Sequence, residues 1–384
     1  MTVDFQDTLT ALSLSGNLRS IPSGATPAGV TDLSTNDYLG LAARLDLQER
    51  FLNDCAQASG QLMTSSASRL LASSQEAFSG LENKLSGLYR GRAALLFNSG
   101  YHANTGLVSA LASGGDTVVI ADKLIHASAI DGIALSRAPF ERFRHNDLRH
   151  LSRLLEKHRS DQRILVIVES IYSMDGDSAP IDALIDLKRS FPQMMLYVDE
   201  AHALGVAGPG GLGLCAASGR MDEVDVIVGT FGKALASSGA FCIVSPVVRE
   251  FLVNRARSLI FSTAIPPLCA LWTSLMLDTM LGMDAERAHL RALAAALQCR
   301  LQPLSPEFPI PASHIQPLVI GNAAMTVELS ARLLGEGFKV LPIRTPTVPP
   351  GTERLRISLS AALSLSSVER LADCITNSLA PCKA

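Results

Sequence analysis

The sequence has no long hydrophobic run. Its most apolar stretch, 268–283 (LCALWTSLMLDTMLGM), carries Asp278 and is shorter than the ~20 residues a membrane span needs, so a buried helix is expected there. It has no surplus of positive charge: 33 Lys and Arg stand against 36 Asp and Glu, a formal net charge of −3. A protein that grips nucleic acid through phosphates needs a basic excess, so neither nucleic acid nor membrane is an expected partner. It has no paired cysteines. Seven are scattered through the chain with no CxxC, which argues against a disulfide frame and against a zinc site, so no metal is expected and a reducing cytoplasm is the simplest home. The first residues, MTVDFQDTLTAL, hold acids but no early Lys or Arg and no apolar run, the pattern of neither a secretory signal nor a transit peptide. With 47% hydrophobic and only 18% charged residues, a largely disordered chain is excluded.

What the chain does have is a succession of short Val-, Ile- and Leu-rich runs: 93–98 (AALLFN), 117–121 (TVVIA), 164–169 (ILVIVE), 195–199 (MLYVD), 226–229 (VIVG) and 240–244 (AFCIV). Continuous apolar runs with little alternation indicate strands covered on both faces. The segments between them have helical spacing. In 147–158 (DLRHLSRLLEKH) the leucines at 148, 151, 154 and 155 form one face, with Asp147 as N-cap. Strand–helix alternation implies an α/β fold with a mostly parallel sheet wrapped by helices. Beyond about 270 come two long helical segments, a Pro-rich patch at 304–311 and a mixed strand–helix–strand region, which predicts a smaller C-terminal domain.

In open α/β sheets, ligands sit beyond the carboxyl ends of the strands. After the first run comes Asn98-Ser99-Gly100-Tyr101, where Gly100 would open either a helix whose N–H groups and dipole suit a phosphate or an ordinary tight turn. After the second comes His126, a site residue or a helix cap. The 195–199 run continues into Asp199-Glu200-Ala201-His202. A carboxylate at the end of a buried strand is costly unless it meets a cation or a donor, and Asp199 and His202 can point into one cleft. The 226–229 run leads to Thr230-Phe231-Gly232-Lys233, and a lysine flanked by small residues suits a Schiff-base amine, the alternative being a surface loop. Lys233 follows Asp199 by 34 residues, room for one crossover and one strand, so both can face the same cleft.

Two nucleotide readings fail. VDEAH looks like the second motif of a helicase-type ATPase, but the nearest P-loop candidate, 227–234 (IVGTFGKA), has Ile at the first Gly position and Ala234 where a Ser or Thr must be. A GxGxxG fingerprint after the first strand is absent. The combination that fits is pyridoxal 5′-phosphate (PLP), whose chemistry needs a lysine for its aldehyde, an acid for its pyridine nitrogen and a cup for its phosphate. His126 suits the ring face.

Nine stretches carry a family likeness in order: STNDYLGL (34–41), FNSGYHAN (97–104), RHND (144–147), ESIYSMDGDSAP (169–180), VDEAHALG (198–205), TFGK (230–233), IFSTAIPP (260–267), IQPLVIG (315–321) and IRTPTVPPGTERLRISLS (343–360). The chain resembles the α-oxoamine synthases, PLP enzymes of the aspartate-aminotransferase fold. The resemblance implies fold type I of the PLP-dependent transferases: an N-terminal segment over 1–45 that packs with the small domain, a large PLP-binding domain over 46–275, and a small α+β C-terminal domain over 276–384. It implies that Lys233 forms the imine and moves the substrate proton, that Asp199 partners the pyridine nitrogen, that His202 donates to the ring oxygen and that His126 stacks on the ring. It places Ser173 near the cofactor and Gly100, Tyr101 and Thr230 on the phosphate. It has Ser262 and Thr263 reach the phosphate of the other subunit, hence a homodimer, and gives Arg356 the substrate carboxylate. Arg19 and Thr347 are implied contacts of the acyl substrate. Within the family, RHND, SMDGDSAP, IQPLVIG and PTVPPGT resemble the biotin-pathway branch, which joins L-alanine to pimeloyl-CoA or a pimeloyl carrier protein. A sister synthase using glycine or serine, and an aminotransferase of the same fold, are the alternatives. One departure is 63–69 (MTSSASR), where Ser and Ala replace the family's glycines.

Overall fold

The computed structural model describes residues 5–19, 21, 24, 26–56, 62–72 and 75–379. Contacts divide the chain into two compact units. The larger comprises 39–173 and 177–287; the smaller comprises residues up to 38, 174–176 and those from 288 onward. The division after residue 287 falls inside the helix Asp284–Leu301.

The larger unit is built on a seven-stranded sheet of β1 (Ala93–Phe97), β2 (Thr117–Asp122), β3 (Phe140–Phe143), β4 (Arg163–Glu169), β5 (Met194–Asp199), β6 (Val226–Thr230) and β7 (Ala240–Val244). Their order is β1-β7-β6-β5-β4-β2-β3, with β7 antiparallel to both its neighbours and all other pairs parallel. All six apolar runs are strands of this sheet. Their residues are buried almost without alternation because helices cover both faces. Helices α1 (Glu76–Leu88), α2 (Gly100–Ala112), α3 (Ala127–Ser136), α4 (Leu148–Lys157), α5 (Ile181–Arg189) and α6 (Pro267–Leu281) belong to this unit. Leu107, Val108, Ala129 and Ile133 of α2 and α3 join Leu95, Val119, Leu165 and Val228 of the sheet in one core.

Strand β3 is the element the sequence did not predict. Its residues, FERF, set two adjacent charges between two aromatics at the sheet edge, where exposed charge also discourages pairing with a further strand. Helix α4 is capped as its sequence predicts: Asp147 Oδ1 accepts the His150 N–H at 2.9 Å. The apolar stretch beyond 267 is helix α6, with Ala270, Thr273, Met276 and Leu277 buried. Among the described residues, no helix is long and apolar enough to cross a membrane.

The smaller unit holds a three-stranded antiparallel sheet of β8 (Ile315–Val319), β9 (Leu341–Ile343) and β10 (Arg354–Ser358), ordered β9-β10-β8. Helices α7 (Ala323–Gly335) and α8 (Leu365–Leu379) accompany it. Residues 174–176 are held within this unit by Arg354, whose Nη1 donates to Asp175 Oδ1 at 2.6 Å. Gly176, at φ +70°, lies so near the Ile315 carbonyl that a Cβ would sit 2.0 Å from its oxygen, so no side chain fits there.

Candidate active site

Six strands, β1 to β6, end on one edge of the large sheet, since β7 is antiparallel to both β1 and β6 and thereby leaves these two parallel. The chain leaving those ends lines a cavity of about 180 Å³, walled by Gly100, Tyr101, Asn104, His126, Ser128, Glu169, Asp199, Ala201, His202, Thr230 and Lys233. Of the residues expected on sequence grounds, the structure brings together Gly100, Tyr101, His126, Asp199, His202, Thr230 and Lys233. Ser173, Ser262 and Thr263 do not line it.

At the β1–α2 junction, Ser99 is the N-cap and its Oγ accepts the His102 N–H at 3.2 Å. The first N–H groups of a helix have no intrahelical partners and carry the positive end of its dipole, so Gly100 and Tyr101 offer an anion site. Tyr101 turns its hydroxyl away to Asp131 Oδ2 at 2.5 Å. Helix α3 approaches α2 closely at Gly132, where a Cβ would sit 2.9 Å from the Asn104 carbonyl. That close packing lets Asn104 on α2 and Ser128 on α3 meet at 2.9 Å.

Across the cavity, Lys233 Nζ lies 2.7 Å from His202 Nε2. Asp199 is buried. Its Oδ2 accepts from Asn104 Nδ2 at 2.8 Å and its Oδ1 from the Ala201 N–H at 2.9 Å, so both oxygens have donors. His126 is the N-cap of α3, its Nδ1 accepting the Ser128 N–H. Burial pushes its pKa below the usual histidine value, against the upward pull of Asp199. His126 therefore caps a helix and also lines the cavity.

Glu169 is a site residue that sequence reasoning passed over, although it ends a buried strand as Asp199 does. It pairs with Asp199 across β4 and β5. Burial, reinforced by the Asp199 charge, pushes its carboxyl up to about 8, and the Lys233 charge, with hydrogen bonds from the backbone of His126 and Ser173, only partly offsets this. Its Oε2 accepts the Ser173 N–H at 3.3 Å, and its Oε1 is buried without a partner. Ser173 thus stands behind the wall on Glu169. Ser262 and Thr263 are held by Asn98, whose Nδ2 donates to Ser262 Oγ at 2.9 Å and to the Thr263 carbonyl at 2.5 Å.

The other expected residues belong to the smaller unit. Arg356, buried on β10, donates to Ser358 Oγ at 2.7 Å and to Asn36 Oδ1 at 3.2 Å. Arg19 and Thr347, 328 positions apart, meet: Arg19 Nη2 donates to Thr347 Oγ1 at 3.2 Å.

An amine, a buried carboxylate and a helix N-terminus on one cavity match the aldehyde, the pyridine nitrogen and the phosphate of PLP, so the residues present fit that cofactor. The family model for aminotransferase class I and II matches residues 28–375. An 8-amino-7-oxononanoate synthase of Haemophilus ducreyi is 43% identical over 350 residues, 90% of each chain. Among solved structures, a serine palmitoyltransferase variant of S. paucimobilis with a bound PLP–myriocin aldimine superposes with a TM-score of 0.88 at 25% identity, over 99% of this chain and 97% of that one. The 8-amino-7-oxononanoate synthase of Francisella tularensis superposes with a TM-score of 0.78 at 25% identity, over 92% of this chain and 99% of that one. The chain belongs to the aminotransferase class I and II family and is a PLP-dependent enzyme of the aspartate-aminotransferase fold.

Proposed function

We propose that this enzyme condenses L-alanine with a pimeloyl thioester, on CoA or on a carrier protein, releasing CO2 and the thiol and giving 8-amino-7-oxononanoate. The observation that carries the reading is an amine and a buried carboxylate on one cavity, Lys233 and Asp199, in a chain 43% identical to a synthase of that name. PLP, when bound, supplies the electron sink for the carbanion at the amino-acid Cα. Lys233 would hold the cofactor's aldehyde carbon and, once displaced by L-alanine, take and return the proton at Cα. Such proton transfer is typically worth about 10²–10⁴-fold.

Asp199 would face the pyridine nitrogen, His202 the ring hydroxyl and His126 the ring plane. Ser173 would support the ring side through Glu169. The N–H groups of Gly100 and Tyr101, with Thr230, would cradle the phosphate, joined by Ser262 and Thr263 from the partner subunit of a homodimer. The guanidinium fork of Arg356 suits the alanine carboxylate, and Arg19 with Thr347 suits the far end of the acyl chain.

The test is an absorbance scan of the purified holoenzyme with L-alanine, glycine and L-serine, followed by release of free thiol from pimeloyl-CoA. L-Alanine should perturb the visible band and support thiol release. If glycine or L-serine alone does so, the substrate assignment is wrong. The likeness to serine palmitoyltransferase favours a second reading, a serine-using synthase of the same family, and the L-serine arm decides it.

A further inference from the structure

Asp199 and His126, the two side chains assigned to the cofactor's nitrogen and ring face, do not stand independently. One buried amide connects them. Asn104 lies on α2 and is nearly inaccessible, at 2% exposure. Its Nδ2 is 2.8 Å from Asp199 Oδ2 and 2.9 Å from Ser128 Oγ, and its Oδ1 is 2.6 Å from the Tyr197 hydroxyl.

An NH2 group has two hydrogens and a hydroxyl has one, so the directions can be worked out from the partners. Asp199 is a carboxylate and can only accept, so the amide must turn its NH2 toward it. The reverse orientation would set Oδ1 against the carboxylate and leave a buried oxygen–oxygen contact. With the amide so fixed, Tyr197 donates to Oδ1, one N–H goes to Asp199 and the other to Ser128 Oγ.

Ser128 Oγ then accepts from the amide with one of its two lone pairs and keeps its proton to give, and the Ser128 backbone N–H on the neighbouring ring nitrogen decides where that proton goes. Its neighbour at 2.7 Å is His126 Nδ1, which also accepts the Ser128 backbone N–H at 3.2 Å. A ring nitrogen that accepts from two donors carries no proton. The proton of the neutral ring must therefore sit on Nε2, at the opposite edge of the imidazole.

We propose that Asn104 and Ser128 are positioning residues that fix His126 as the Nε2–H tautomer and tie its ring to the Asp199 carboxylate. The wall of the cavity then offers a ring whose free edge is a donor, held in register with the acid. This assignment rests on the PLP reading for its consequence, but the tautomer itself is a property of the protein with or without cofactor.

The experiment uses full-length protein labelled with ¹⁵N-histidine, in apo form and after PLP addition. Long-range ¹H–¹⁵N correlation spectra distinguish a protonated ring nitrogen from a bare one, and His126 is assigned by the signal missing in H126Q. The wild type should show His126 with a bare Nδ1 and a protonated Nε2 in both forms. S128A and N104L should both convert it to a mixture of tautomers. N104L should also weaken PLP binding about tenfold, the typical effect of removing one hydrogen bond to a charged group.

S128A removes one hydroxyl from the first turn of α3 and carries the test if N104L does not fold. Retention of the pure Nε2–H tautomer in S128A overturns the proposal, and so does a wild-type ring protonated on Nδ1. Weaker PLP binding in N104L with an unaltered His126 spectrum overturns it too, because Asn104 then serves Asp199 alone. If the wild type binds no PLP, the cofactor reading fails, while the spectra of the apo protein still decide the tautomer.

Discussion

Histidine 145 sits where a neutral imidazole could not satisfy its surroundings. Its Nδ1 is 2.9 Å from Asp122 Oδ1 and its Nε2 is 2.8 Å from Asp177 Oδ2, and its ring stands edge-on to Tyr172. Two carboxylates need two N–H donors, which only the imidazolium has. Burial works against the charge, but the bonds to Asp122 and Asp177 outweigh it and raise the pKa from 6.5 to about 10. Asp122 is fully buried at the end of β2 and also accepts the Leu124 and Asn146 N–H groups. The cation therefore pins the segment that leads to His126 to the turn that holds Asp177.

A histidine whose folded pKa is raised stabilises the fold in full below the unfolded pKa, near 6.5, and that contribution is lost as pH rises through about 10. The shift sets a ceiling of about 4 kcal/mol at pH 6.5, falling to about 1 kcal/mol at pH 9.5. Solvent reaches the ring and Asp177, and screening reduces both figures by about half. Replacing His145 by Gln keeps one donor and removes the charge. Thermal unfolding of wild type and H145Q, at one fixed PLP concentration, should show a gap in midpoint about 3–4 °C larger at pH 6.5 than at pH 9.5, taking roughly 2 °C per kcal/mol for a chain of this size. A gap that is constant or widens with pH would refute the imidazolium clamp.

Lys233→Ala should fold, bind PLP only reversibly and lose the link that borohydride traps; mass spectrometry of the reduced protein would expose any anchor elsewhere. Asp199→Asn exchanges the charge for a neutral amide facing Asn104, and should weaken PLP binding at least tenfold and lower turnover by about 10²-fold or more, read by equilibrium dialysis and thiol release. Activity within twofold of wild type would remove Asp199 from the site. Gly229→Ala would drive a Cβ to 2.4 Å from the Phe241 ring in the centre of the sheet, so a loss of about 1–3 kcal/mol is expected in urea unfolding, and an unchanged midpoint would mean the ring has room to move.

The sheet was legible because strands buried on both faces must be apolar throughout. Strand β3 was not, because at an edge FERF obeys neither that rule nor strict alternation. Asp199 and Lys233 stood out because an acid closing an apolar strand and a lysine among small residues both need a reason. The same rule reaches Asp122 and Glu169, which close β2 and β4, and applying it evenly finds them. Asn104 and Ser128 carry no such signal. Each reads as an ordinary polar residue in a helix, and what makes them part of the site is an approach between α2 and α3 that sequence spacing cannot supply. His145 was visible only within the RHND likeness, since its two partners lie 23 and 32 positions away.

Three acids thus close neighbouring strands on one edge, and burial cannot leave all of them charged without support. The edge solves this in three ways. Asp122 faces a cation, His145. Asp199 receives an amide and a backbone N–H. Glu169 has an oxygen without any partner and keeps its proton, with its pKa at about 8. These solutions predict different responses to neutralisation. A carboxyl whose folded pKa lies above 4.5 favours the folded state most below that pH, and the advantage fades as pH rises toward 8, so Glu169 opposes stability increasingly across that window. Glu169→Gln replaces a largely neutral acid with a neutral amide and should leave the unfolding midpoint at pH 7 unchanged or raised, with its standing relative to wild type improving from pH 5 to pH 8. Asp122→Asn breaks a buried ion pair and should cost about 3 kcal/mol or more at pH 7. Equal losses from the two substitutions, or a Glu169→Gln protein that loses ground to wild type as pH rises, would mean that Glu169 is ionised and that the Lys233 charge outweighs its burial.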